Sequence, residues 1–207
     1  MHYDKFKKNY PYTSKSRGSI RHPNSPKGKP KVFISHKSED KAFCRMIANY
    51  FDQVNIDYYF DENDSELQIA DQTNDHKKVT NCIKKGIVNS THMLCVISEH
   101  TYKSVWVPYE LGYGQAALCD INFIGEGKSL IEPQQRVVFE PDIIMSVLVI
   151  KDIPEDKIPS YLHGFNVIKS FEDFKNYTSK ITGNPLLEKD STKLKSVKND
   201  LMNYVLR

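Results

Sequence analysis

Glu110 stands four residues after Trp106 in the run Trp106-Val107-Pro108-Tyr109-Glu110-Leu111. On a helix that spacing puts an indole and a carboxylate on one face, where they can bracket a single ligand. Three polar clusters each follow an apolar, β-prone run. Ser35-His36-Lys37-Ser38 follows Val32-Phe33-Ile34, Asp61-Glu62 follows Tyr58-Tyr59-Phe60, and Ser98-Glu99 follows Met93 to Ile97. If those runs are parallel strands, the clusters gather at the strands' carboxyl ends, where open α/β sheets bind ligands. Position alone leaves the chemistry open, because such folds host many reactions. Taken singly, each residue has an ordinary alternative: a solvated helix acid, a partly buried tryptophan, polar turns.

The elements that must position these residues alternate. After the first strand, Ser38 is expected to cap a helix, with Glu39 and Asp40 in its first turn, where acids suit the helix dipole. Ala42, Phe43, Met46, Ile47, Tyr50, Phe51 and Val54 follow at helical spacing. Asp57 to Asp61 is a second strand. From Asp61 to Asp75 there are six acids and no base, which predicts a long acidic loop. A helix over about Asn74–Asn89, a buried strand over Met93–Ser98 and a helix from near Ser104 come next. This β-α-β-α-β-α order predicts an α/β fold with a central parallel sheet of about five strands flanked by helices. Beyond Asp120, Arg136–Glu140, Ser146–Lys151 and Phe165–Ile168 are candidate strands. Helices are expected over Phe171–Ile181 and Ser191–Leu206.

A chain of 207 residues accommodates one domain with extensions. Its longest apolar stretch, Ile143 to Ile150, is far shorter than the ~20 residues that span a bilayer. Met1-His2-Tyr3-Asp4-Lys5 leads into no apolar segment, so a soluble, cytoplasmic protein is expected. Cys44, Cys82, Cys95 and Cys119 lie 37, 12 and 23 residues apart, too sparsely for a disulfide framework or zinc site, and are expected to be buried thiols. Residues 1–31 carry nine Lys/Arg against one acid, a charge of +8 that leaves −5 for the rest. With Pro11, Pro23, Pro26, Pro30, Gly18 and Gly28 and no periodicity, residues 1–30 are expected to form a flexible basic tail. Nucleic acid is not expected as its partner, because nothing downstream continues the basic patch.

Several motifs fail. Asn122 to Ser129 has Asn where a phosphate loop needs its first Gly, and Pro133 interrupts the required helix. Asp61-x-Asn63-x-Ser65 is followed by Glu66 where a calcium loop needs Gly. The histidines show no metal-ligand spacing, so no metal is expected.

Three segments in order resemble the Toll/interleukin receptor (TIR) domain family. Lys31-Val32-Phe33-Ile34-Ser35-His36-Lys37-Ser38-Glu39-Asp40 is similar to its opening strand and turn, and Tyr58-Tyr59-Phe60-Asp61 to its second strand. Ser98-Glu99-His100-Thr101-Tyr102-Lys103-Ser104-Val105-Trp106-Val107-Pro108-Tyr109-Glu110-Leu111 resembles the family's Ser-x-x-Tyr and Ser-x-Trp-x-x-x-Glu-Leu signature. The Tyr102–Trp106 interval is one residue shorter than is common, and Ile121 to Glu140 resembles an insertion. The resemblance implies a flavodoxin-like TIR domain over residues 31–182, with a helical extension over 183–207. It also implies an NAD⁺ glycohydrolase or cyclase with Glu110 as catalytic residue. Ser35, His36, Lys37, Ser38, Asp61, Ser98, Trp106 and Tyr113 would then contact substrate. NAD⁺ would be the substrate and no further cofactor is expected. Other TIR copies, and a separate effector answering to the product, are the implied partners, as in bacterial antiviral defence systems such as Thoeris. A non-enzymatic TIR scaffold and a nucleoside deoxyribosyltransferase-like enzyme are the alternatives.

Overall fold

Lys31–Ser35 (β1), Asp57–Tyr59 (β2), His92–Ile97 (β3), Met145–Val149 (β4) and Asn166–Ile168 (β5) form one parallel sheet in the computed structural model. The structure describes residues 29–119, 141–151, 153–162, 164–183 and 192–206. Strand order is β2-β1-β3-β4-β5, the flavodoxin-like arrangement. β3 and β4 are buried along their whole length, as strands covered on both faces must be. The chain leaves β1 toward β2 on one side and returns to β3 on the other, where Ser35 lies opposite Cys95. Connections diverge at that reversal, and it is there, outside the carboxyl ends of β1 and β3, that open parallel sheets offer a crevice for ligands.

Alternation along the strands sends side chains to two layers. Val32, Ile34, Leu94, Val96 and Leu148 meet Lys41–Gln53 (α1), Phe171–Thr182 (α6) and Thr192–Tyr204 (α7). Phe33, Met93, Cys95, Ile97 and Val147 meet Ser65–Gln72 (α2), His76–Val88 (α3) and Trp106–Gly114 (α4). A short helix, Pro141–Ile144 (α5), precedes β4. Helix α7 contributes Leu194, Val197 and Leu201 to the same core as α1 and α6. Among the described residues no helix is long and apolar enough to cross a membrane.

Two local expectations are corrected. Ser38 makes no capping hydrogen bond; it opens a 3-10 turn, Ser38–Asp40, and α1 begins at Lys41. The acidic stretch from Asp61 to Asp75 is mostly ordered structure, a 3-10 turn over Asp61–Asn63 followed by α2. Its acids find partners within the fold. Asp64 accepts from the Leu67 N–H and so caps α2, and Asp75 accepts from the Lys78 N–H and caps α3. Arg45 pairs with Glu62, and Lys85 lies 3.6 Å from Glu66. Charge repulsion is thereby offset, and α2 seats Leu67 and Ala70 against the second core. Helix α3 starts two residues after the expected Asn74 and α4 two after Ser104. The candidate strand Arg136–Glu140, the suggested insertion 121–140 and most of the basic tail lie outside the described residues.

Candidate active site

Helix α4 is apolar around most of its circumference, and Glu110 is its only charged residue. Pro108 is tolerated because it falls in the first turn, where an N–H has no helical acceptor. Gly114 lets the far end of the helix press onto the sheet: a Cβ there would stand 2.6 Å from the Met93 sulfur. This close packing forces the Glu110 side chain inward, to 8% exposure at the carboxyl end of β1. The Ser35 hydroxyl donates to Glu110 Oε2 at 2.6 Å, closing the crevice floor between β1 and α4. Burial raises the Glu110 carboxyl to about 7, although the Ser35 hydrogen bond and nearby His36 pull it back down. Such a displaced carboxyl at a strand-end crevice is a recognised mark of a functional group.

His36 continues the site outward. Its ring packs on Phe60 with centroids 5.1 Å apart, and its Nδ1 lies 3.1 Å from the Ile34 carbonyl. Nε2 stands 3.4 Å from Asp61 Oδ1, a distance and alignment that make an ion pair rather than a hydrogen bond. The second Asp61 oxygen lies 3.5 Å from Lys41 Nζ. Burial works against the His36 charge, but Asp61, the Ile34 carbonyl and Glu110 outweigh it and raise the imidazole's pKa. Burial likewise opposes the Asp61 charge, and His36 and Lys41 overcome it, holding that carboxyl below its ordinary range. The polar line thus runs Glu110–Ser35, then His36–Asp61–Lys41.

The remaining sequence candidates fall at different depths. Trp106 sits half-buried one turn before Glu110, edge-on to Tyr109 with ring centroids 5.8 Å apart. Tyr113 stacks on Tyr109 at 6.4 Å, with Lys84 Nζ 5.4 Å from its ring centre. Lys37 points to Glu39 at 3.5 Å, and Ser38 is exposed. Ser98 is buried, and its hydroxyl is given to Asp40 Oδ2 at 2.5 Å. Ser35, His36, Asp61 and Glu110 are therefore brought together, with Trp106 alongside, while Lys37, Ser38 and Tyr113 lie outside these contacts. Asp40 was missed as part of the site's frame. The sequence offered it only as a first-turn acid, yet it is fully buried among the loops that follow β1 and β3.

A doubly wound parallel domain with one buried, proton-hungry carboxylate at its switch point is the class that fold and site define. Residues 32–124, a little under half of the chain, match the model of the TIR domain family. The chain is also 31% identical over 85 residues to a protein of Cytobacillus dafuensis named "Putative cyclic ADP-D-ribose synthase TIR2". That similarity covers 41% of this chain and 22% of the relative, so the chain spans only about a fifth of the relative's length.

Proposed function

We propose that this chain cleaves NAD⁺ at its nicotinamide glycosidic bond and releases nicotinamide and an ADP-ribose-derived product. The observation that carries this reading is the Glu110 carboxyl, buried at the switch-point crevice and held by Ser35. In the cleaved bond the ribose C1′ is joined to a cationic ring. As the bond breaks, its electron pair goes to the ring nitrogen and nicotinamide departs neutral. The leaving group needs no proton, so the usual pair of glycosidase carboxylates reduces to one. The Glu110 carboxylate steadies the positive charge that develops on the ribose, in a site where burial strengthens the interaction. The Ser35 hydroxyl holds that carboxylate in place, while His36 and Asp61 lie beside the ribose and phosphate groups. Trp106, one turn away, offers a planar wall. The name of the C. dafuensis relative favours a cyclic product over the hydrolytic one, and a product signalling to a separate effector in antiviral defence extends the same reading. Association with other TIR copies belongs to it as well.

Purified protein incubated with NAD⁺ should release nicotinamide, with the second product identified by mass spectrometry. Because the carboxylate is the active form, kcat/KM should rise about tenfold between pH 6 and pH 8. In kcat the rise should fall at lower pH, since the bound cationic ring favours the ionised acid. A profile flat across that range would remove Glu110 from the reaction.

A further inference from the structure

The loop between β3 and α4 holds only a single 3-10 turn, Thr101–Lys103, yet it must launch α4 at the angle that carries Glu110 to the carboxyl end of β1. Its anchor is a carboxylate from another part of the chain. Asp40, at the end of the turn after β1, is 0% exposed. Its Oδ2 accepts from the Ser98 hydroxyl at 2.5 Å, and its Oδ1 lies 2.9 Å from His100 Nδ1. The same Ser98 oxygen accepts from the His100 N–H at 3.0 Å, so the three residues form a closed ring of hydrogen bonds. The loop's next contacts continue inward: the Ser98 N–H donates to Thr101 Oγ1 at 2.9 Å, and the Val107 N–H donates to Ser104 Oγ at 3.1 Å, which caps α4. With the Ser104 N–H donating to the Thr101 carbonyl at 3.0 Å, a continuous chain of bonds runs from the turn after β1, through Ser98, Thr101 and Ser104, to the first turn of α4. Trp106 stands in that turn and Glu110 one turn on.

We infer that Asp40 is the positioning residue of this site: by strapping Ser98 and His100 to the turn after β1, it fixes the start of α4 and hence the place of Glu110 against Ser35. Any buried carboxylate needs partners, and the element that supplies them decides what it holds together. Here both of its oxygens are given to residues of the β3–α4 loop. Burying the charge is offset by those charge-assisted bonds, which fix a geometry that two separate loops could not hold alone. The catalytic consequence rests on the NAD⁺ reading above; the structural one does not.

Asp40→Asn tests it. The amide keeps the size of the side chain but presents N–H where Ser98 or His100 needs an acceptor, so one bond of the ring is lost. With NAD⁺ as substrate, kcat should fall about 10- to 100-fold while KM changes by no more than about twofold, the signature of a misplaced group. Trp106 is the chain's single tryptophan, so its emission reports the start of α4 without interference. In Asp40→Asn it should shift to the red and become more open to acrylamide quenching. A merely structural role would lower the melting temperature while leaving kcat per folded molecule and the Trp106 signal of the folded state as in wild type; that result overturns the inference. A Trp106 shift with wild-type kcat also overturns it. If Asp40→Asn does not fold, Ser98→Ala, which removes one arm only, should move both readouts in the same direction by less, and no movement there counts against the strap. Should wild type fail to cleave NAD⁺ while Asp40→Asn still shifts Trp106, the NAD⁺ reading fails and the strap's hold on α4 stands.

Discussion

On one side of the sheet α1, α6 and α7 close over β1, β3 and β4 with interlocked rings. Phe174 lies 5.2 Å from Tyr50, 5.7 Å from Phe51 and 6.4 Å from Tyr177, centroid to centroid. Helix α6 carries a complete capping box, Ser170 with Asp173, and ends on Gly183 in the left-handed region, as helices stopped for stability do. On the other side α4 has no capping box, and its cap comes from a loop held by a distant carboxylate. The two buried carboxylates of the described residues, Asp40 and Glu110, both lie at the carboxyl rim of the sheet. The first layer therefore supplies mainly stability, reaching the site only through Lys41 at the start of α1 and Phe60 under His36, and the second gives up stability to keep an acid out of water. A single fold separates the two by assigning them to opposite faces.

The largest expected effect breaks the second face alone. Glu110→Gln should reduce NAD⁺ cleavage by more than about 100-fold, the scale of losing a group that acts only in the transition state, and Glu110→Ala should do the same. Residual turnover near wild type in either variant would show that the reacting carboxylate lies elsewhere. Breaking the first face does the opposite. Phe174→Ala should cost about 3–5 kcal/mol in denaturant unfolding, as removal of a fully buried ring does, while kcat of the remaining folded fraction stays at the wild-type value. A large fall in that kcat would mean the layers are coupled.

Linkage sharpens the contrast further. The Glu110 carboxyl is raised by burial from 4.5 to about 7 in the folded chain, so the native state holds its proton more tightly than the unfolded one. Its contribution to stability is full below about pH 4.5 and is lost as pH rises through 7. At the amino end of β3, His92 is buried and its imidazole is pushed down from 6.5 to about 4, which gives the opposite sign: stability is lost as pH falls from 6.5 toward 4. Between those limits the two terms offset each other. Glu110→Gln removes one, so at pH 8 the variant should be more stable than wild type by about 3 kcal/mol, at 1.36 kcal/mol per pKa unit. Its stability should also climb between pH 4 and 6.5, where the wild type changes little. Equal stability of variant and wild type at pH 8 would mean that Glu110 is not strained by burial.

The smallest effect concerns an imperfection in the stable layer. The Tyr177 hydroxyl is buried and makes no hydrogen bond among the described residues, and burial drives its pKa far up. Tyr177→Phe should be neutral or stabilising by up to about 1 kcal/mol, since it relieves an unmet polar group, with no change in catalysis. A loss of 1 kcal/mol or more in thermal unfolding would reveal a partner for that hydroxyl.

Composition and periodicity determined the strands, the longer helices and the parallel sheet, because short apolar runs and 3.6-residue spacing follow from burying side chains on regular backbones. Strand-end position drew attention to Ser35 and Asp61, and spacing placed Glu110 one helical turn from Trp106, but it was the resemblance to the family's Trp-x-x-x-Glu-Leu signature that singled Glu110 out. The acidic stretch after Asp61 was misjudged because helix α2 is short and weakly patterned, and its charges are balanced by Arg45 and Lys85, which lie far off in sequence. Only the tertiary structure decided that Ser98 serves Asp40 and that His36 faces Asp61. The same is true of the burial that sets the Glu110 carboxyl near 7. Desolvation and pairing depend on which segments the fold brings within a few ångströms, and the segments meeting here are separated by up to 75 residues of chain.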